Sequence, residues 1–385
     1  TKFGDIPYTT KVLSIKESMS IARTAKATVI ANVLADLDEV INGNYLPTSY
    51  DADNKGRITR WAAMAIKAKI YLFEGNWTQV KNITSTIMTE GGFKLFGSYA
   101  GLFEIANEYN SEVILDAQYR PTSREHQMMY VFLPPTLGGY SQLSPLQELV
   151  DSYIMLDGKT IKETGTSFDE SHPYANRDPR LKATVMYTGN SYTLADGTEV
   201  VINCEKGEGK DGYGVGSDCS ATGYYIKKYW DNTYRATLYS GLNPILIRYA
   251  DILLMNAEAL AELGELDKTA WDATIKPIRD RAGFTLASAL EFPEGASKDK
   301  LIEIVRNERR SELALEGHRH KDIIRWRIAD NVLNGWCHGL KTNDVVGTDD
   351  GYVRVENRTF NANKHYLWPI PQAERDLNGN LEQNP

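Results

Sequence analysis

Three carboxylates spaced four residues apart, Glu308, Glu312 and Glu316, stand in the run N-E-R-R-S-E-L-A-L-E-G-H-R-H-K-D-I-I-R-W. On a helix that spacing places them on one face. Paired carboxylates of this kind serve general acid–base chemistry, with His318 and His320 as further ligands or proton carriers. Arg309, Arg310, Arg319 and Arg325 are interleaved with them. Mixed charges at such density are more commonly spent on ion pairs and on capping neighbouring loops. The run therefore reads as structural. The enzyme alternative is an all-α glycoside hydrolase using Glu308 and Glu312, or aspartates from the middle of the chain.

No other stretch supplies a catalytic set. The six histidines form no H-E-x-x-H pattern, and there is no C-x-x-C, G-x-S-x-G, Walker or dinucleotide fingerprint. Asp51–Gly56 approaches a calcium loop, but Lys55 holds the fifth position and Ala62 the twelfth, where a bidentate glutamate belongs. It reads as a polar loop capping the helix from Arg60. Gly207–Gly216 is glycine-rich yet precedes no helix, so it reads as a surface loop. Cys204 and Cys219 flank that loop and are read either as a disulfide pair or as free thiols; Cys337 stands apart. No catalytic residue, metal ligand or cofactor is assigned.

Aromatic residues carry the remaining chemistry. The chain has 22 Tyr and 7 Trp against 10 Phe. Flat amphipathic rings stack on the C–H faces of sugars while amides and charged groups bond the hydroxyls. The densest cluster is Tyr224, Tyr225, Tyr229, Trp230, Asn232, Tyr234, Arg235 and Tyr239. On a strand, Tyr224 and Trp230 share one face and Tyr225 and Tyr229 the other. One of those faces is core, and Trp230 with Tyr234 is expected to be exposed. Tyr140 in the PPTLGGYSQ loop is a second candidate and Tyr213 a third. A lone tyrosine is more often a packed ring, so the group is the signal.

These residues need elements to position them. Hydrophobic content of 42% provides for a core, and a net charge of −8 with pI near 5.4 argues against nucleic acid or an anionic membrane as partner. No apolar run approaches the roughly 20 residues of a membrane span. Helical periodicity predicts a helix over Ser14–Ile41 stopped at Asn42–Gly43, helices over Arg60–Phe73 and from Trp77 to Met88 about Gly75, and again over Arg248–Leu263 and Lys268–Arg281 about Gly264. Aligning Gly75 with Gly264 puts Ala68 on Ala257, Ala65 on Leu254 and Trp77 on Leu266, the logic of tetratricopeptide (TPR) hairpins. Leu301–Leu315 and Lys321–Leu333 read as further helices. Strands are predicted at Val113–Ala117, Val131–Phe132, Leu181–Tyr187, Tyr192–Leu194, Glu199–Asn203 and Tyr224–Trp230, with Asp196–Gly197 as a turn. The fold class is mostly α: TPR-like hairpins over 1–109 and 244–385 form a scaffold, and 110–243 is an irregular, partly β insertion that carries the binding residues, all in one domain. The tail His365–Pro385 reads as extended, pinned by Pro369 and Pro371 and anchored by Trp368, Ile370 and Leu381.

The tail's W-P-I-P-x-x-E-x-x-x-N-x-x-L-x-Q-N-P resembles the C-terminal signature of the SusD/RagB family. So do E-R-R-x-E-L-x-x-E-G-x-R-x-x-D-x-x-R-W from Glu308 to Trp326, S-P-x-x-E-L-V-D-x-Y-x-x-x-D-G-K around Asp151 and Asp157, NRDPRL, LIRYADILLMNAEA and the opening FGDIPY, where Phe3 replaces the usual Trp. The resemblance implies a non-catalytic surface lipoprotein of the outer membrane of Bacteroidetes, with the glutamate–arginine run holding the fold together. It implies capture of a glycan, or of a peptide as in some relatives, and delivery to a SusC-like TonB-dependent transporter. It also implies a preceding segment with a lipid anchor, the sole attachment to the membrane, since TKFGDIP reads as the interior of a domain. A protein-only TPR interaction module is the remaining alternative.

Overall fold

The computed structural model describes residues 2–234, 237–342 and 349–385, with the side chain of Tyr234 left out. The architecture is mostly helical with short two-stranded sheets. Two compact units are distinguished: Thr1–Pro47 with His320–Gly335 and Arg358–Pro385, and Thr48–Arg319 with Trp336–Asn357. Among the described residues no helix is long and apolar enough to cross a membrane.

The larger unit is built on the two expected hairpins. Thr59 caps the Arg60–Glu74 helix by accepting the Ala62 N–H, and Gly75 ends it at φ 71°. The Asp51 carboxylate is occupied in a short turn of its own, accepting from the Asn54 N–H, so it is not the cap of that helix. Trp77–Glu90 follows, and the Tyr249–Leu263 helix packs on both. Ala62, Ala65, Ala68 and Ala257 are fully buried where these helices meet. Small side chains let the backbones approach, which is the physical content of the repeat. The helix expected over Lys268–Arg281 is broken at Thr274 into Lys268–Ala273 and Ile275–Ala282. Pro277 has no N–H to donate and crowds the carbonyl of Ala273, so one continuous helix is excluded.

Residues 110–243 lie in this unit. Val113–Asp116 pairs antiparallel with Ile245–Arg248, and Ser191–Thr193 with Glu199–Val201 across the Asp196–Gly197 turn. Three expected strands differ. Val131 and Phe132 belong to a helical turn, Met128–Phe132, that drops Met129 and Leu133 into the core four residues apart. Residues 179–184 are helical because the Asp178 side chain caps the Arg180 N–H and Pro179 occupies the first position, which leaves Val185–Met186 of the expected Leu181–Tyr187 as strand, paired with Tyr225–Ile226. The strand at Tyr224–Trp230 shrinks to Tyr225–Ile226 because the N–H groups of Lys227 and Lys228 both go to the Thr184 carbonyl, which breaks the ladder, and Tyr229 then takes φ 68°.

In the smaller unit the expected Ser14–Ile41 helix is split into Ile15–Ser18 and Lys26–Asn42, because Thr24 pairs with Ile6 as a bridge. The Lys321–Leu333 helix is likewise two pieces, Arg319–Arg325 and Ala329–Val332. The tail is extended at Trp368–Pro371, but Gln372–Leu377 is a helical turn. Ile370 and Leu381 are buried anchors; Trp368 is 43% exposed and instead carries Lys2 Nζ 4.2 Å from its ring. Arg23 gathers the two chain ends, donating to the carbonyls of Phe3 (2.8 Å), Asp5 (2.9 Å) and Glu382 (2.8 Å) and to Asn384 Oδ1 (2.7 Å).

Candidate functional site

The side chains of Glu308, Glu312 and Glu316 are sealed from solvent. Ser297 starts the helix Lys298–Glu312, which ends one turn earlier than expected; Leu315 takes φ 64° and Glu316 reaches the same cluster from the turn beyond. Glu312 accepts from Arg248 at 2.6 Å, Arg180 at 2.8 Å and also Arg281. Glu308 pairs with Arg279 and Arg180, each at 2.7 Å, and Glu316 with Arg248 and Lys228, each at 2.7 Å. Burial alone would raise these carboxyls, but the surrounding guanidinium groups outweigh it. Glu308 and Glu312 are held below the usual range, and Glu316 at about 2. Ionised, fully paired carboxylates with no solvent path neither donate a proton nor meet a substrate. His318 is half-buried, and desolvation lowers its pKa to about 4. Among the described residues no group of His, Cys, Asp and Glu is placed to hold a metal ion, and Cys204, Cys219 and Cys337 are free thiols.

The aromatic candidates separate into three groups. Tyr224 and Tyr225 are both core rings: the Tyr224 hydroxyl donates to Gln147 Oε1 at 2.5 Å and that of Tyr225 to the Asp211 carbonyl at 2.5 Å. The alternation expected of a strand fails here, so Tyr224 offers no exposed face. Tyr213 is half-buried against the same core.

Tyr229, Trp230 and Asn232 come together around a pocket of about 400 Å³. Tyr229 is buried against Phe103, with ring centroids 5.1 Å apart. Trp230 is half-buried rather than exposed, because Tyr192 packs against its ring and its Nε1 donates to the Thr193 carbonyl at 2.9 Å. Tyr234 ends a short turn, Asn232–Tyr234; its side chain and the whole of Arg235 lie outside the described residues.

Tyr140 has the open face. It is 39% exposed and stacks on Tyr130, ring centroids 4.2 Å apart and 29° between planes. A hydrogen bond with Tyr140 is the main reason the Tyr130 hydroxyl sits above its ordinary pKa, with desolvation next and Asp218 a lesser contributor. The loop holding Tyr140 folds back on the Met128–Phe132 turn. The Tyr140 N–H donates to the Tyr130 carbonyl at 2.9 Å and the Ser141 N–H to that of Leu133 at 3.3 Å. Gly139 is required there: a Cβ would lie 2.1 Å from the Leu133 carbonyl oxygen. The glycine-rich loop is a fastener below this one, since Asp211 Oδ1 accepts the Thr136 N–H at 2.7 Å. Tyr239 is 44% exposed and accepts from Gln127 Nε2 at 2.7 Å, their segments joined by the His126–Ser240 bridge. Sequence reading does not single out Tyr130 or Gln127; the helical turn that brings Tyr130 under Tyr140 is the strand it expects at 131–132.

A family profile described as the SusD family matches residues 102–385. The chain belongs to the SusD family. A SusD-like protein P25 from Formosa agariphila is 28% identical over 355 residues, covering 86% of this chain and 61% of its relative. A SusD-like protein P2 from the same organism is 26% identical, covering 99% of this chain and 69% of the relative. Among solved structures, a SusD-like carbohydrate binding protein from Bacteroides fragilis superposes with a TM-score of 0.86 at 29% identity, covering 99% of this chain and 76% of that one. A second SusD-like protein from the same organism gives 0.82 at 27% identity, with 100% and 75% covered. The chain thus spans 61% of the length of the P25 relative. The resemblance carried by the sequence motifs is thereby established, together with the mostly helical fold it implies.

Proposed function

We propose that this protein captures an oligo- or polysaccharide at the cell surface, without cleaving it, and delivers it to a SusC-like TonB-dependent transporter in the outer membrane. The observation that carries the reading is the flat, open face of Tyr140, backed by Tyr130 and flanked by Tyr239 and Gln127. A ring braced from behind loses little conformational freedom when a sugar stacks on it, so more of the stacking energy appears as affinity. Asp218, Gln127 and the Tyr239 hydroxyl supply polar groups at the edge. The carbohydrate-binding relative from Bacteroides fragilis, at 29% identity, supports glycan over peptide. Attachment to the membrane through a lipid anchor is part of the same proposal.

The test is binding of the purified protein to a panel of soluble polysaccharides and peptides by affinity electrophoresis and calorimetry, with products analysed for cleavage. Retardation by one glycan class without product, abolished by Tyr140→Ala, is the expected result. Release of shorter glycans, or binding of peptides alone, would overturn the reading.

A further inference from the structure

The pocket at Trp230 differs in kind from the open Tyr130–Tyr140 face. Its volume of about 400 Å³ lies at the lower end of small-ligand sites. One wall is the Trp230 indole, fixed by its bond to the Thr193 carbonyl and covered on one side by Tyr192. Phe103 and Tyr229 close the floor. The polar lining is unevenly committed. Asp231 is buried and held by the N–H groups of Ile105 (3.2 Å) and Thr233 (2.9 Å), so it fixes the shape. Lys228 is sealed against Glu316 at 2.7 Å, and Lys227 donates to Asn190 Oδ1 at 3.0 Å. Glu104 and Asn232 are both exposed at the mouth: Glu104 Oε2 accepts only a long bond from Asn107 Nδ2, at 3.4 Å, which leaves Oε1 to a ligand, and Asn232 has no side-chain partner among the described residues.

An aromatic wall with a carboxylate and an amide beside it matches one sugar ring: the indole meets the C–H face, the carboxylate accepts from hydroxyls, and the amide both donates and accepts. A pocket floored by Phe103 and Tyr229 and walled by Trp230 is entered from its mouth, which suits the end of a chain better than its interior. We infer that this pocket is a second carbohydrate subsite, selective for a single terminal sugar ring, whereas the Tyr140 face holds the interior of a chain. Its ligands are free monosaccharides or the chain ends of glycans. The inference rests on the glycan reading above, but its residues are separate from those of that face.

The experiment removes the open face first. In a Tyr140→Ala protein, methyl glycosides of the sugars in the glycan bound by wild type are titrated by calorimetry and saturation-transfer NMR. Glycosides are expected to bind still, with a molar affinity that does not rise with chain length. Glu104→Gln and Asn232→Ala, exposed positions that leave the core intact, are each expected to weaken that binding about threefold to tenfold, the worth of one hydrogen bond. Trp230→Phe should weaken it further. Equal affinity for free methyl glycoside and for the glycan's terminal unit points to ring recognition alone; a preference for the latter points to chain ends; both support the subsite. Loss of all glycoside binding in Tyr140→Ala, or binding indifferent to Glu104 and Asn232, overturns it while the proposed function stands. If wild type binds no carbohydrate, the subsite fails together with that function.

Discussion

Arg248 and Glu312 meet through Nη1 and Oε1 at 2.6 Å, with neither side chain reachable by water. Arg248 also bonds Glu112 at 2.7 Å and Glu316 at 2.7 Å, which ties the strand before the long helix to the end of another. Lys228 enters the same cluster from the aromatic segment, with its ammonium 4.3 Å from the Phe103 ring. Desolvation lowers its pKa to about 8 in spite of Glu316. The charges are therefore a joint between helices and insertion, and removing one leaves its buried partners short of a counter-charge.

Glu312→Ala is expected to destabilise the protein by about 3–5 kcal/mol, the usual cost of breaking a buried ion pair by removing one partner. Glu312→Gln should cost less but still lower the melting temperature. Thermal denaturation followed by circular dichroism reads both. A Glu312→Gln protein with an unchanged melt would show that the cluster is not the joint described here.

The two histidines with shifted pKa values give stability opposite pH dependences. His318 is lowered from 6.5 to about 4, mainly by desolvation, so the fold binds it neutral. Its contribution is complete above pH 6.5 and falls away as pH drops toward 4. His338 is raised: burial opposes the shift, but Glu148 at 2.8 Å and Asp349 at 3.1 Å prevail. Its contribution is present below pH 6.5 and is lost as pH rises through its higher folded value. Urea melts across pH 4–9 should therefore lose their acid-side slope below pH 6.5 in His318→Gln, and their loss above pH 6.5 should shrink in His338→Gln. Parallel curves for either variant and wild type would refute the assignment.

Gly139 has a role in the Tyr140 loop that needs no contact with ligand. A Cβ there would lie 2.1 Å from the Leu133 carbonyl oxygen, and backbone does not yield that far. Gly139→Ala is expected to reduce glycan affinity at least about tenfold, as loss of a central aromatic anchor does, with only a small change in the melt. Affinity electrophoresis beside a denaturation curve separates the two effects. Full affinity in Gly139→Ala would mean the loop can relocate without losing the site.

Much of this was legible in the residues because it depends on local periodicity. The hairpins about Gly75 and Gly264 follow from apolar spacing and from glycines at φ 71° and 73°. The arginines beside the Glu308–Glu316 run announced a structural, ion-paired segment, but the partners its three glutamates take, Arg180, Arg248, Arg279, Arg281 and Lys228, lie elsewhere in the sequence, while Arg309 pairs with Asp251. The aromatic segment was not legible in the same way. Whether Tyr224 or Trp230 faces outward depends on where the strand ends, and that is decided by Lys227 and Lys228 sharing the Thr184 carbonyl, with Tyr229 turning the chain at positive φ beyond them. Tyr130 comes under Tyr140 because Met128–Phe132 is one helical turn, a choice made by burial of Met129 and Leu133 and not by propensity.

Tyr130 and Tyr140 should act as a unit. Tyr140→Ala removes the exposed ring; Tyr130→Ala removes the ring behind it and lets Tyr140 turn. If bracing is what makes the face bind, the two losses overlap, and the double variant should be only slightly weaker than Tyr140→Ala alone. Residues in contact depart from additivity by about 0.5–3 kcal/mol. A double-mutant cycle on glycan affinity measures this directly. Strictly additive losses would mean that Tyr130 touches the glycan itself and that the stacked geometry is incidental.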